Sequence, residues 1–176
     1  MKTNEQKALN MLKAFAFTLL IALLTALIAY FVPITSLVSI LLGIASLILM
    51  IIAFRVFSKT DERFRVPYIF SIVALAGTII ITVGLSFIMG TSLYALGATG
   101  FSSVILITGG VIIGLIILTI GAIIGIIGSI FGMILGLWRL GKKYKTNVIS
   151  LGAILIIFPV LNIVGVLMVI IGLFRL

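Results

Sequence analysis

"GLIILTIGAIIGIIGSIFGMILG", residues 114–136, sets a glycine at intervals of three, four or seven residues through an otherwise apolar run. Inside a helix in water each glycine costs about 1 kcal/mol relative to alanine, so a run of them needs a reason. At about 100° per residue, Gly110, Gly114, Gly121, Gly125, Gly128, Gly132 and Gly136 share one stripe narrower than about a quarter of the helix circumference. One continuous helix preserves such a phase. A hairpin turn near Thr119 to Ala122 would destroy it.

The block that holds the stripe, residues 101–138, would measure about 57 Å as a single helix, more than a bilayer with its headgroups. Gly109 and Gly110 offer a break. That leaves a helix over residues 111–138 of about 42 Å, and an outer loop over residues 91–108 with a short interfacial or re-entrant piece. Between helices in lipid the hydrophobic drive is small, and association depends on the close backbone approach that small residues permit. Gly114, Gly121, Gly125, Gly128, Gly132 and Gly136 therefore read as helix-packing positions at the centre of a bundle. A contact with a helix of another chain and the wall of a substrate path are the other readings.

The rest of the chain agrees with a lipid environment. Of 176 residues 64% are hydrophobic and 9% charged, with a mean hydropathy of +1.54, too little polar surface to coat a soluble globule. Runs such as "SLILMIIAF" do not alternate apolar with polar as the strands of a membrane β-barrel must. The composition predicts an all-α, polytopic integral membrane bundle forming one domain over residues 1–176. Its spans fall near residues 14–32, 35–57, 67–89, 111–138 and 147–174, with Pro33 turning the chain between the first two. The run from Ala14 to Phe31 follows a basic start, as a signal peptide would, but its length and the lack of a small-x-small cleavage site favour a retained span.

Charge sets the direction of threading. Lysine and arginine cluster in the N-terminal stretch, in "RVFSKTDERFRVP" (55–67) and in "RLGKKYKTN" (139–147). With five crossings and the N-terminus inside, eleven of the twelve basic residues are cytoplasmic and only Arg175 is outside. Six crossings, the alternative, put Arg139, Lys142, Lys143 and Lys145 outside. In the final block, Pro159 with Asn162 in "FPVLNIVG" marks a polar break at mid-membrane. A kink with Asn162 bonding across the bundle, a broken helix lining a solute passage, and a re-entrant hairpin that returns Arg175 inside all fit it. Small residues also line one face of the first span (Ala14, Thr18, Ala22, Thr25, Ala29) and one of the second (Ser36, Ser39, Gly43, Ser46, Ala53).

"GLWRLGKKYKTNVISLGAILIIFPVLNIVG" (136–165) and, less strongly, "GIASLILMIIAFRVFSKTDERF" (43–64) resemble a family of multi-pass membrane proteins, largely archaeal and known only as a domain of unknown function. The shared features are a hydrophobic helix ending in a short basic loop, a "GAIL" run and a later glycine. The resemblance implies an archaeal cell membrane and brings no catalytic residues with it.

Several classes of function lack their residues. There is no cysteine and no histidine, which removes the usual soft metal ligands, and the carboxylates are limited to Glu5, Asp61 and Glu62. Asp61 and Glu62 lie between Lys59 and Arg63 and read as a solvated loop, while Ser102, Ser103 and Ser129 have no evident base. No cofactor site is visible. The net charge of +9 suits short loops at a membrane face better than nucleic acid. Arg55, Lys59, Arg63, Arg65, Arg139, Lys142, Lys143 and Lys145 are the expected contacts with lipid headgroups on the cytoplasmic side, at about 1 kcal/mol each. The reading is of a non-enzymatic structural, accessory or assembly component of the cell membrane, as a homo-oligomer or within a larger membrane complex. The alternative is a small uncoupled transporter or channel for a neutral or small solute, which a wide mid-membrane cavity lined by Ser, Thr and Asn162 would favour.

Overall fold

Four helices in the chain are long and apolar enough to cross a membrane. The computed structural model describes residues 3–29, 31–32, 35–97, 101–158 and 161–176, with the backbone alone for residues 93–97 and 101–107. The described residues form α1 (Thr3–Ile28), α2 (Thr35–Thr60), a 3-10 turn (Glu62–Phe64), α3 (Arg65–Gly97), α4 (Phe101–Ser129), a π turn (Ile130–Ile134), α5 (Leu135–Lys143), α6 (Asn147–Leu155) and α7 (Asn162–Phe174). The chain is all-α. Pro33 and Pro159 lie outside the described residues.

Two of the expected boundaries are corrected. The helix that carries the glycine stripe does not begin after Gly110: it runs without interruption from Phe101 through the π turn to Lys143. Nor do residues 91–108 form an outer loop, because α3 extends to Gly97. Gly109 has no atom within 4 Å of where a Cβ would stand, and Gly110 lies against the Thr91 side chain of α3. A glycine breaks a helix in water partly because water competes for its exposed N–H and C=O. In an apolar surrounding that competitor is missing and the helical bond is the only one on offer.

The last block is likewise not one helix. It folds as two short helices, of 9 and 13 residues, that lie antiparallel: a Cβ on Gly165 would stand 2.7 Å from Ile156 N, and one on Gly152 2.7 Å from Gly165 O. A crossing takes roughly 20 helical residues, more than either helix has. α6 stops at Leu155, whose carbonyl would need the N–H that Pro159 lacks. The fifth full-length helix expected over residues 147–174 is therefore replaced by a helical hairpin.

The protein is thus three antiparallel hairpins, α1 with α2, α3 with α4, and α6 with α7. Their shared core lies at one end. Leu9, Leu12 and Phe15 of α1 meet Met50, Phe54 and Phe57 of α2, Phe64 of the 3-10 turn, Leu137 and Leu140 of α5, Ile149 of α6, and Val166, Val169 and Leu173 of α7. Phe57 and Phe64 rings stand 5.1 Å apart and Phe54 and Phe64 6.1 Å, within the range of favourable aromatic pairs. Farther from this core the helices present Ile, Leu and Phe outward, among them Leu41 at 67% and Ile126 at 59% exposure. Such a surface suits hydrocarbon as solvent.

Candidate functional site

The charged residues gather at the end where the core lies. Lys143, closing α5, donates to Glu5 in the first turn of α1 at 2.8 Å and sits over the rings of Phe57 (5.3 Å), Tyr144 (5.7 Å) and Phe64 (5.8 Å). An ammonium among aromatic faces is attracted by their quadrupoles, and Glu5 supplies the opposite charge. Arg139 donates to the carbonyl of Arg63, joining α5 to the turn before α3. Lys13 of α1 lies 5.2 Å from the ring of Phe174, the last residue of α7, and Lys142 caps Trp138 at 3.9 Å. Every described lysine and arginine is placed at or near this end of the three hairpins, where α1, α3 and α6 begin and α2, α5 and α7 finish.

The backbone that follows α5 explains how the loop stays short. Thr146 N–H bonds Gly141 O at 2.8 Å and Lys145 N–H bonds Lys142 O at 3.3 Å, with Lys145 at a φ of 53°. This is the Schellman arrangement, here with lysine where glycine is usual. It turns the chain so tightly that a Cβ on Gly141 would stand 2.9 Å from Ser150 N. Burial, and secondarily the charge of Glu5, raise the Tyr144 phenol above its ordinary pKa, and its buried hydroxyl has no hydrogen-bond partner among the described residues.

Of the eight expected headgroup contacts, Lys143 is turned to Glu5 and the rings, Lys142 to Trp138, and Arg139 to Arg63. Arg55, Lys59, Arg63, Arg65 and Lys145 remain at the rim. Two of the three carboxylates have structural partners: Glu5 takes Lys143, and Asp61 Oδ1 accepts from Arg63 N at 3.0 Å to start the 3-10 turn. Nothing in the sequence announces the Glu5 to Lys143 pair, since 138 positions separate them. Among the described residues no cluster of His, Cys, Asp or Glu could hold a metal ion.

The glycines fall into three settings. Gly121 and Gly132 are so close to α3 that a Cβ on either would lie 2.7 Å from a backbone nitrogen, Ile81 N and Ser71 N. A Cβ on Gly114 would lie 3.1 Å from Gly84 O, and one on Gly128 would overlap Ala74. Gly125 has room, its nearest neighbour being Ile81 Cδ1 at 3.7 Å, although a Cβ on the facing Gly77 would meet Gly125 itself. Gly136, beyond the π turn, faces not α3 but the ring of Phe54 on α2.

Asn162 opens α7 and borders a cavity of about 510 Å³ between α1, α2 and α7, together with Ser36 and Ser39. Its Oδ1 is buried and makes no cross-bundle hydrogen bond among the described residues. A second groove, of about 580 Å³, runs between α2 and α3 past Ile44, Thr82 and Ser86.

Four long apolar helices, an apolar outer surface and charges drawn to one end are the marks of an α-helical membrane protein. The chain belongs to the family described as protein of unknown function (DUF973), whose model matches residues 4–176. Neither the curated proteins nor the solved structures contain a match to it.

Proposed function

We propose that the chain is a multi-pass protein of the cell membrane that crosses four times, keeps both described ends in the cytoplasm, and works without catalysis of its own as a structural or assembly component. α1, α2, α3 and the continuous helix of α4 and α5 make the crossings, and α6 and α7 form a re-entrant hairpin on the cytoplasmic side. This threading puts Arg175 on the same side as the other basic residues, which suits the positive-inside rule better than five crossings do. Exposed Arg55, Lys59, Arg65 and Lys145 then meet anionic headgroups. Homo-oligomers or a larger membrane complex would cover the apolar outer faces.

The observation that carries a structural role over transport is the plug at the basic end. A solute crossing the bundle would have to displace Phe15, Phe54, Phe57, Phe64, Leu137 and Leu140, all 0 or 1% exposed. The hydroxyls along the spans support the same reading, because Thr18, Thr78, Thr82, Ser86 and Thr119 each donate to a carbonyl four residues back on their own helix. These five line no polar path, and the cavity that holds Ser36, Ser39 and Asn162, the feature that would favour a transporter, is separated from the basic end by that plug. Stopped-flow measurement of glycerol and urea entry into proteoliposomes tests the proposal: rates equal to those of empty liposomes are expected. Entry accelerated by the protein and slowed by Asn162→Leu would establish the transporter instead.

A further inference from the structure

Where α1 meets α7 a groove of about 470 Å³ lies open to the outside, lined by Phe17 of α1, by Ile170, Ile171 and Phe174 of α7, and by Arg175 just beyond it. The rings of Phe17 and Phe174 join its two walls edge to face, 5.7 Å apart. The grooves at Asn162, at Thr82 and at Thr119 have no charged side chain in their linings. This one has Arg175.

The charge of the groove is all at one end. α1 begins and α7 finishes at the basic end of the molecule, so from that end inward the α7 wall runs Arg175, Phe174, Ile171, Ile170. On the α1 wall Lys13 precedes Phe17 by four residues, one helical turn nearer the basic end on the same face. Its Nζ lies 5.2 Å from the ring of Phe174. Lys13 and Arg175 thus flank the groove where its apolar lining stops, Lys13 half-buried and Arg175 exposed. Among the described residues the one ion pair joins Glu5 to Lys143, and neither Lys13 nor Arg175 has a carboxylate partner.

We infer that this groove binds one anionic phospholipid, with an alkyl chain along Phe17, Ile170 and Ile171 and the phosphate at Lys13 and Arg175. The inference rests on the reading of the chain as embedded in lipid and deepens it, because it assigns one lipid to one seam through two basic residues outside the rim set. A hydrocarbon would leave both cations unpaired, a free phosphate would leave the apolar walls uncovered, and a zwitterionic headgroup would bring its own cation to the same place. Arg175 can offer two parallel N–H groups to phosphate oxygens, and Lys13 adds a point charge. A volume of about 470 Å³ lies within the range of small-molecule sites.

The probe is phosphatidylglycerol with a diazirine in one chain, mixed into phosphatidylcholine nanodiscs that hold the full protein, irradiated, and located by peptide mass spectrometry. Crosslinks are expected on the segments holding Phe17, Ile170 and Ile171, at least about tenfold more than with a phosphatidylcholine probe of the same chain, while Ile116 and Ile120 on the uncharged groove of α4 should take both probes equally. Lys13→Gln and Arg175→Gln should each lower labelling by phosphatidylglycerol about fivefold, the factor expected for one basic residue near the surface, and the double substitution should make the two probes equal. Lys59→Gln, on the rim and away from the seam, should change nothing. Should either variant at the seam misfold, the two probes on the unaltered chain still decide. Equal labelling of the seam by both probes, or a loss with Lys59→Gln as large as with Arg175→Gln, would overturn the inference and leave the seam to bulk lipid. A chain that stays out of the bilayer on flotation would contradict the membrane reading and this inference with it, whereas equal labelling of an embedded chain overturns the inference alone.

Discussion

The first hairpin and the second are built from small residues in opposite ways. Between α3 and α4, glycines stand on both helices: Gly77 and Gly84 interleave with Gly114, Gly121 and Gly128, and close contacts run from Ser71 against Gly132 to Thr91 against Gly110. Between α1 and α2 the small residues are alanine, serine and threonine, and Gly43 has no atom within 4 Å of where a Cβ would stand. There the helices are held by hydroxyls, Ser39 to Ala22 O at 2.9 Å and Thr35 to Thr25 O at 3.5 Å, and by the core at the basic end. A stripe of small residues thus makes a close helix pair where glycine faces glycine. Where it does not, a gap remains, and the cavity at Asn162 occupies it.

The sharpest way to break this contrast is to add the same side chain to both hairpins. Gly128→Leu has no room beside Ala74 and should lower stability by about 3 kcal/mol or more, read as a loss of melting temperature and of monodispersity in detergent. Gly43→Leu should change stability by less than about 0.5 kcal/mol, as surface substitutions do. Ile123→Leu and Ile127→Leu, at 55% and 43% exposure, should be tolerated as well. Equal damage at Gly43 and Gly128 would mean that the two hairpins pack alike.

A smaller effect probes how the first hairpin is held. With no glycine pairing of its own, α1 depends on the basic end, so Glu5→Gln should cost about 1 kcal/mol by leaving Lys143 without its carboxylate. Thermal denaturation at low and high salt checks this. A loss that salt does not reduce would assign the role of Glu5 to packing.

Smaller still is the contribution of Tyr144. Its phenol is raised by burial and by Glu5, so the folded chain holds the proton more tightly than the unfolded one. The stability this gives is complete below the unfolded pKa of about 10 and is lost as pH rises through the folded value. Tyr144→Phe should therefore lose less stability than the parent chain when pH is raised above about 10, and should lose none at about pH 7, because the hydroxyl it removes has no partner among the described residues. Parallel alkaline profiles would contradict the assignment.

The continuous fourth helix is legible in the sequence, since a glycine phase is a property of one helix and needs no partner to be read. The start of that helix is not, because the cost of Gly109 and Gly110 in water does not carry over to an apolar surrounding. In the last block Pro159 signals an interruption, but whether the chain bends or turns back depends on Gly152 meeting Gly165, a contact between helices. Asn162 stands out as a polar group in an apolar run. The cavity beside it does not, because three helices make it, and the partner of Glu5 is hidden by the same distance along the chain.

Arg175 decides between four crossings and five. The chain has no cysteine, so a single introduced thiol is the only label. Arg175→Cys, Lys59→Cys and Lys145→Cys should all resist an impermeant maleimide applied to intact cells and react once the membrane is permeabilised, while Ser92→Cys, far along α3 from the basic end, should react from outside. Labelling of Arg175→Cys from outside, with Lys145→Cys protected, would show that residues 147–174 cross the membrane, and the four-crossing account would be wrong.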